Sequence, residues 1–419
     1  MTSATNIRAN TCDLPSPKVS VLERHWLRTA IVLWVILTAV ITVKAAVLPN
    51  HRSVYPAFTA GTRDFLAGRH EHGREGFLYG PTFATLFSPF AILPDSLGAM
   101  LWNWFNVAIM LYALLRFYRE VLAVRWPQFS LGQFLSLTAI GAAGSLWSAQ
   151  SNAAIISLIL LAGVEIVNRR FWRAALFLAI PVHIKVWPIA AGMLLVALRP
   201  KALALRYVVC LAALAALPLV LVSPAYLAEY YGMWGDTIVT RQIEPRHWGG
   251  IGGGYRDGWT LWENLVGPVN KRVYSLVQLS AAALIFAWCM AMRYIKKDER
   301  FLVVGAISLW AAWQMLLGPG SERLTLAILA PVTAWTVLIS FQQRQTRWLA
   351  SVACALILIF SFGELERVFE RFAPWAQAML PLGILLLGVN IVWPHELISR
   401  VIGTRPAKEL PLRDAVEAG

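Results

Sequence analysis

Charged residues are scarce in this sequence. Only 14% of its 419 residues are Asp, Glu, Lys or Arg, whereas about 25% is usual for a soluble domain. Hydrophobic residues make up 58% of the chain, and the mean hydropathy is +0.58. A chain this apolar cannot enclose its hydrophobic surface in one water-soluble core, so we expect lipid to solvate the outside of a helical bundle.

Cysteine is also rare. Of the four cysteines, Cys12 lies in a polar segment, and Cys210, Cys289 and Cys354 lie in apolar runs. This distribution indicates neither a disulfide framework nor a metal cluster. Metal ligands are therefore not predicted, and a requirement for a divalent metal is left open.

The net charge of +14 raises the question of nucleic acid, but the basic residues are spread between hydrophobic runs. They are better explained as signals of membrane topology, and no nucleic-acid partner is predicted. The glycine-rich run 249–254 follows no strand and lacks the Lys-Ser/Thr pair of a phosphate loop, so it predicts a flexible loop.

The hydrophobic runs predict an all-α, polytopic transmembrane helical bundle with about 12 crossings, within a range of 10–13. A crossing helix needs about 20 mostly apolar residues. The candidate runs are 27–48, 97–115, 131–148, 152–167, 171–182, 186–198, 203–222, 273–292, 301–317, 324–340, 349–361 and 375–393. Prolines break 171–198 into two short helices, and 81–93 is short enough to be re-entrant or interfacial. The first run lacks a cleavage site and is predicted to stay as a span.

The charges of the connecting segments predict the orientation. The segments 116–128, 168–173, 199–206, 293–300 and 341–348 contain 15 Lys or Arg and 3 Asp or Glu. The remaining connecting segments contain 13 Lys or Arg and 12 Asp or Glu; they are 49–80, 149–151, 181–185, 223–272, 318–323 and 362–374. Because cytoplasmic loops are enriched in Lys and Arg, the first set is assigned inside. The predicted organisation is a cytoplasmic tail 1–26, a single domain 27–393 with outer loops 49–80 and 223–272, and a cytoplasmic tail 394–419.

Polar clusters interrupt the apolar pattern at the predicted outer face, where such residues mark candidate sites. The residues that carry them include Arg52, Asp64, Tyr79, Gln150, Asn152, His183, Lys185, Glu322 and Arg323. Each also has a purely structural interpretation. Gln150 and Asn152 could cap helices, Lys185 could extend to the interface, and Asp64 could pair with Arg63, as Glu322 could with Arg323.

Several motifs occur in an order that resembles a known family. They are the segment 77–94, the segment 102–106, Gln150-Ser151-Asn152, Lys185 with Pro188, and 318–325 with Pro331. Together they span roughly residues 50–340. The sequence resembles the bacterial polyprenyl-phosphate-sugar-dependent glycosyltransferases of family 87, the C-type membrane mannosyltransferases related to the phosphatidylinositol mannoside enzyme.

The resemblance implies a C-type glycosyltransferase fold and a hexosyltransferase, mannosyltransferase-like activity. The donor would be a polyprenyl-phosphate-linked sugar and the acceptor a lipid or glycan, at the outer face of a bacterial plasma membrane. Beyond this donor substrate, no cofactor is firmly implied. Both termini would be cytoplasmic.

The sequence departs from the family at the expected catalytic acid, which commonly follows the first span. Here residues 50–55 read Asn-His-Arg-Ser-Val-Tyr, without an acid. Asp64 is the first candidate for the base, with Glu71, Asp236 and Glu322 as alternatives.

Transfer from a lipid phosphate needs a carboxylate to take the acceptor proton and cations to hold the leaving phosphate. Besides Asp64 as base, the predicted site has Lys185, His183, Arg323 and Arg52 at the phosphate, and Gln150, Asn152, Tyr79 and Glu322 at the sugar. Two rivals are a transporter or lipid flippase and a catalytically silent family member. Against the former, the halves show no internal repeat and the polar groups gather at one face.

Overall fold

A computed structural model describes residues 21–69, 76–240, 255–295, 298–318, 321–343, 347–361 and 363–392. Within these ranges the chain is helical and forms no β-strand, apart from one isolated antiparallel bridge between Tyr255 and Glu322. The α-helices are α1 Val21–Val47, α2 Tyr55–Leu66, α3 Pro81–Ala91, α4 Asp95–Phe117, α5 Ala123–Arg125, α6 Leu131–Trp147, α7 Asn152–Val167, α8 Phe171–Ile184, α9 Ile189–Leu198, α10 Pro200–Ala216, α11 Pro224–Ile238, α12 Gly258–Leu265, α13 Lys271–Ile295, α14 Glu299–Leu316, α15 Ala330–Gln343, α16 Arg347–Ser361, α17 Gly363–Phe372 and α18 Met379–Val392. A π-helical turn, Tyr118–Leu122, links α4 to α5, and 3₁₀ segments occupy Leu217–Val220, Arg323–Ile328 and Pro374–Ala378.

Helix α7 forms the centre of the bundle. It packs against α4, α8 and α14 and against the 3₁₀ segment Arg323–Ile328, and its residues from Asn152 to Ile166 are buried. A helix that is apolar on all sides is expected to be enclosed by other helices. This central position fixes Asn152, the first residue of α7, at the end of the core.

The predicted interruptions of the apolar runs are confirmed. Helix α3 ends at Ala91 and α4 restarts at Asp95, while α8 and α9 are separated by residues 185–188. Proline lacks a backbone N–H and disfavours helix in the residue before it. These breaks bring polar side chains to the ends of apolar helices.

Ion pairs gather at one end of the bundle, which we call the basic end. Arg116 contacts Glu165 at 3.2 Å, Arg199 contacts Glu299 at 2.8 Å, and Arg125 contacts Asp298 at 2.7 Å. Arg169 also contacts Glu299, at 3.1 Å. These contacts link the segments 116–128, 168–173, 199–206 and 293–300, four of the five that the charge pattern assigned to one side, and the cytoplasmic location of this end stays a prediction.

Among the described residues, four segments are long and apolar enough to cross a membrane by length and composition. They are Val21–Val47, Pro200–Val220, Lys271–Ile295 and Trp375–Val392, and a fifth arises if the bent pair α16 and α17 is taken as one. Other apolar helices, such as α7 and α8, are shorter. The predicted helical character is therefore confirmed, whereas the 12 crossings stay a prediction.

Three segments assigned to the outer face contain α-helices. Residues 49–80 contain α2, residues 223–272 contain α11 and α12, and the 362–374 connection contains α17. Helix α1 begins at Val21 and not at residue 27, because Glu23 accepts a hydrogen bond from the Gly132 backbone N–H at 3.1 Å and so ties the first turn to α6. Residues 1–20 and 393–419, most of the two predicted tails, lie outside the described residues.

Candidate active site

Lys185 lies at the break between α8 and α9, at the end of the bundle opposite the basic end. Its Nζ donates a hydrogen bond to Asn152 Oδ1 at 2.9 Å. The Asn152 side-chain N–H in turn donates to the Leu324 carbonyl at 3.0 Å. Both polar atoms of the Asn152 amide are thus hydrogen-bonded to other segments, and neither caps α7. The capping interpretation of this residue is therefore wrong. The two contacts join three separate parts of the chain.

Gln150 lies in the turn between α6 and α7. This turn requires a left-handed backbone at Ala149 (φ +54°), and the Ala149 carbonyl accepts a hydrogen bond from Trp102 Nε1 at 2.8 Å. Gln150 is 7% exposed, and its Oε1 has no hydrogen-bond partner among the described residues. A buried amide oxygen without a partner is costly, so Gln150 Oε1 is a candidate group for binding a ligand.

Lys185 borders a small pocket of about 40 Å³, large enough for a few water molecules. We call it the polar pocket because Lys185, Gln314, Ser321 and Thr325 line it, although apolar atoms form most of its wall. The pocket is lined by Ile155, Lys185, Trp187, Pro188, Trp310, Gln314, Ser321, Thr325 and Ile328. Within the described part of the chain, Gln314 Oε1 and Trp310 Nε1 also lack hydrogen-bond partners. The pocket therefore brings together a lysine, an amide and an indole side chain.

Glu322 and Tyr79 belong to the electrostatic environment of this pocket. Burial lowers the pKa of Lys185 to about 8, and the Glu322 carboxylate opposes that shift. Burial raises the pKa of Tyr79, with the Ser151 hydroxyl lowering it and Glu322 raising it further. Glu322 therefore acts on a predicted phosphate-binding cation and on a predicted sugar-binding phenol.

Arg323 points toward another partner. Its Nη1 donates to Glu366 Oε2 on α17 at 2.6 Å. The same glutamate accepts a hydrogen bond from Arg256 Nε. The described structure thus places Arg323 in a buried ion cluster next to the pocket.

The other predicted residues are distributed over neighbouring elements. Asp64 forms an ion pair with Arg69 at 3.1 Å where α2 meets α11, and not with Arg63, which pairs with Asp95 at 2.9 Å. The Asp64 carboxylate adds to the burial that raises the pKa of Tyr226 to about 12.

The remaining candidates have individual settings. His183 is buried and its Nε2 lies 3.1 Å from the Leu211 carbonyl of α10. Arg52 is exposed in the turn after α1, with a φ of +45°. Asp236 is exposed on α11, and Glu71 lies outside the described residues.

An apolar cavity of about 310 Å³ adjoins the polar pocket between α9, α13 and α14. Its walls are Ala190, Met193, Leu194, Ala282, Ala283, Ile285, Phe286, Trp310 and Trp313. Trp310 belongs to the walls of both the cavity and the pocket. A polar compartment and an apolar compartment therefore meet at one indole ring.

A protein-family model described as Glycosyltransferase family 87 matches residues 77–319, more than half of the chain. The chain belongs to glycosyltransferase family 87. The resemblance drawn from the sequence motifs is confirmed, and the protein is a membrane glycosyltransferase. No curated protein matches the chain.

The family 87 match includes Tyr79, Asn152 and Lys185 and ends before Glu322. Among the described residues no group of three or more His, Cys, Asp or Glu side chains could hold a metal ion.

Several residues of this glycosyltransferase site were not predicted. Trp310 and Gln314 lie in the apolar run of α14, and Glu366 lies in a segment interpreted as a loop. The available signals were an amide within a membrane run for Gln314 and an unassigned acid near predicted outer arginines for Glu366. Neither signal identifies a partner, because the partners are distant in sequence.

Proposed function

We propose that this family 87 glycosyltransferase moves a hexose, mannose by the family resemblance, from a polyprenyl-phosphate donor to a lipid or glycan acceptor at the outer face of the bacterial plasma membrane. One observation carries the proposal. The polar pocket of Lys185 shares Trp310 with an apolar cavity. A phosphate and a prenyl chain require such a pair of neighbouring compartments.

Lys185 is the proposed principal cation. As the bond between the sugar C1 and the phosphate oxygen breaks, negative charge grows on the leaving phosphate, and a fixed ammonium stabilises it. Asn152 fixes the direction of this ammonium through the 2.9 Å hydrogen bond. Arg323, His183 and Arg52 are further candidates for the same phosphate.

Glu322 is the base proposed here in place of Asp64. It acts electrostatically on Lys185 and Tyr79, whereas Asp64 is engaged by Arg69. In the proposed step the acceptor oxygen bonds to C1, its proton passes to the Glu322 carboxylate, and polyprenyl phosphate departs with the electrons of the broken C1–O bond. Charge and atoms balance without a further reactant.

Gln150, Asn152 and Tyr79 are proposed to hydrogen-bond the sugar. The unpartnered Gln150 Oε1 and Gln314 Oε1 would accept hydrogen bonds from sugar hydroxyls. Since a pocket of about 40 Å³ is too small for a hexose, donor binding requires it to widen.

The donor class can be tested with the full chain in lipid nanodiscs, offered either a polyprenyl-phosphate hexose or a nucleotide hexose. We expect transfer from the lipid donor only. Lys185→Met should lower kcat/KM about 100-fold, as for the loss of other transition-state-stabilising donors. Lys201→Met, at an exposed position of α10, is the control and should leave the rate unchanged.

Two outcomes contradict the proposal. If the enzyme transferred sugar from the nucleotide donor alone, the donor would not be a lipid phosphate. Movement of the lipid across vesicles without any transfer would favour the flippase interpretation.

The prenyl compartment can be tested separately with Ala282→Trp, which would fill the apolar cavity. KM should rise about tenfold for the full polyprenyl donor and little for a donor with a single isoprene unit, because a buried methylene contributes about 0.8 kcal/mol. Leu284→Trp is the matched control, since Leu284 is 70% exposed on the same helix. Equal KM values for the two variants would show that the prenyl chain of the donor does not bind in this cavity.

A further inference from the structure

Helix α17 lies across the neighbouring apolar helix. The axes of Trp348–Ser361 and Leu365–Phe372 differ by 96°, and the candidate span Trp375–Val392 begins three residues after α17 ends. A helix between two apolar helices and nearly perpendicular to one of them has the geometry expected of a helix at the membrane surface. The site residues at this end of the bundle are thus at the same level as α17.

One exposed face of α17 is apolar, and the exposed Arg367 and Arg371 lie beside it. Leu365, Val368, Phe369 and Phe372 recur at helical spacing and are 46%, 51%, 45% and 85% exposed. Trp375, just after the helix, is 58% exposed. An apolar helix face with an adjacent Trp at this level is typical of a helix embedded in the lipid headgroup region. A bilayer around the apolar helices α16 and α18 would continue onto this face.

The opposite face of α17 contacts the protein through acids. Glu366 is fully buried and accepts hydrogen bonds from Arg256 and Arg323. Glu370, one turn later, contacts Arg256 at 2.7 Å. A buried carboxylate shared by two guanidinium groups is held by charge-assisted hydrogen bonds, which are stronger and more directional than neutral ones.

The two arginines hold the chain on either side of Glu322. Arg323 follows Glu322 directly. The Arg256 backbone N–H donates to the Ser321 carbonyl at 2.8 Å, and Tyr255 forms the isolated bridge with Glu322. Through Arg256 and Arg323, Glu366 therefore contacts both segments that fix the Glu322 backbone.

We propose that Glu366 is a positioning residue that holds Glu322 at the sugar-transfer site, and that α17 keeps Glu366 in place by lying on the membrane surface. This inference rests on the proposed function for the role of Glu322. It extends beyond the family match, which ends at residue 319. Bilayer contact would thereby be coupled to the geometry of the base.

Glu366→Gln tests the first part, with Glu370→Gln as the matched control on the same helix. In nanodiscs Glu366→Gln should lower kcat about tenfold, the size expected for a lost charged hydrogen bond, with the donor KM changed less than about twofold because the Lys185–Asn152 pair is intact. Glu370→Gln should lower kcat less than about threefold, since Glu370 is 28% exposed and contacts one of the two arginines. Equal kcat values for wild type and Glu366→Gln would overturn the proposal.

Hydrogen exchange provides a readout that needs no sugar donor. Backbone amides of residues 321–328 should exchange about tenfold faster in Glu366→Gln than in wild type or Glu370→Gln, because the segment loses its anchor. If wild type transfers no sugar, the proposed function fails while this measurement still reports on positioning. Unchanged exchange in a folded variant would overturn the positioning role.

Phe372→Ser tests the membrane part without touching the buried ion cluster. Removing this exposed apolar side chain weakens insertion, so kcat in nanodiscs should fall about threefold and exchange at 321–328 should rise. Trp348→Ser, at a 72% exposed position in the first turn of α16, is the control for loss of a lipid-facing aromatic residue. Identical behaviour of the two variants would disprove the specific role of α17.

Discussion

At the scale of single residues, the site is organised by contacts that replace the simpler pairings suggested by the sequence. Adjacent charges such as Arg63 and Asp64 look like a pair, but each side chain contacts a different residue, Asp95 and Arg69. Lys185 is fixed by Asn152, 33 positions earlier in the chain. The sequence pattern therefore identified Lys185 and Asn152 as candidates, but it could not show that they contact each other.

The identity of the base can be decided by comparing Glu322→Gln with Asp64→Asn. We expect Glu322→Gln to lower kcat by about 100-fold or more, because general-base catalysis contributes about 10²–10⁴-fold. Asp64→Asn should keep kcat within about threefold of wild type and lower the melting temperature slightly through loss of the Arg69 ion pair. If Asp64→Asn lowered kcat more than Glu322→Gln did, Asp64 would be the catalytic base, as the sequence first predicted.

The pH dependence of kcat/KM should report on Lys185. Its pKa of about 8 means that the free enzyme loses the ammonium as the pH rises through 8, so kcat/KM should fall about tenfold per pH unit above that value. The bound phosphate favours the charged form, and kcat should therefore decline only at higher pH. Tyr79 does not contribute to this alkaline decline of kcat/KM, because burial raises its pKa.

The matched variant for this pH profile is Lys185→Arg. Arginine stays charged throughout this range, so whatever activity the variant retains should lose the alkaline decline. An unchanged alkaline limb in Lys185→Arg would assign the titration to another group.

At the scale of elements, local signals predicted helix breaks better than they predicted surface helices. Prolines and polar residues mark the α3–α4 and α8–α9 breaks directly. Helix α17 was missed because its pattern is inverted, with acids facing buried arginines and apolar residues facing outward. A charged segment of this kind resembles a loop until its partners are known.

Helix α6 provides a matched test of close packing. A Cβ at Gly141 would lie 2.8 Å from Ala330 Cβ and 3.0 Å from Ala330 Cα, whereas one at Gly144 would lie 3.9 Å from Leu324 Cδ2. Gly141→Ala should cost about 1–3 kcal/mol by overpacking α6 against α15. Gly144→Ala should be neutral or stabilising by up to about 1 kcal/mol, since alanine favours helix. Thermal unfolding in detergent would measure both, and equal melting temperatures would contradict the packing argument.

At the scale of the whole molecule, the two ends of the bundle differ in chemistry. The basic end is tied by ion pairs between connecting segments, and the opposite end carries Lys185, Asn152, Glu322 and the turn at Gln150. The sequence predicted this division from the distribution of Lys and Arg. It could not predict the pocket itself, because Trp310, Gln314 and Ser321 come together only through packing of α14 and the Arg323–Ile328 segment against α7.

The predicted orientation can be measured by cysteine labelling in intact cells with a membrane-impermeant maleimide. Asn50→Cys, exposed after α1, should react without permeabilisation, and Lys201→Cys, exposed at the basic end, should react only after it. Cys12 would be replaced in both variants, and Cys210, Cys289 and Cys354 are buried. If only Lys201→Cys reacted in intact cells, the orientation of the protein in the membrane would be opposite to the predicted one.

The position of Trp310 in both compartment walls has a consequence for which carrier lipids the enzyme can distinguish. One rigid ring sets the separation between the headgroup and the start of the tail, so only the isoprene units nearest the phosphate would meet protein. The distal units would extend into the bilayer and escape discrimination. The enzyme would then accept carriers of many lengths while rejecting those whose first units differ in shape.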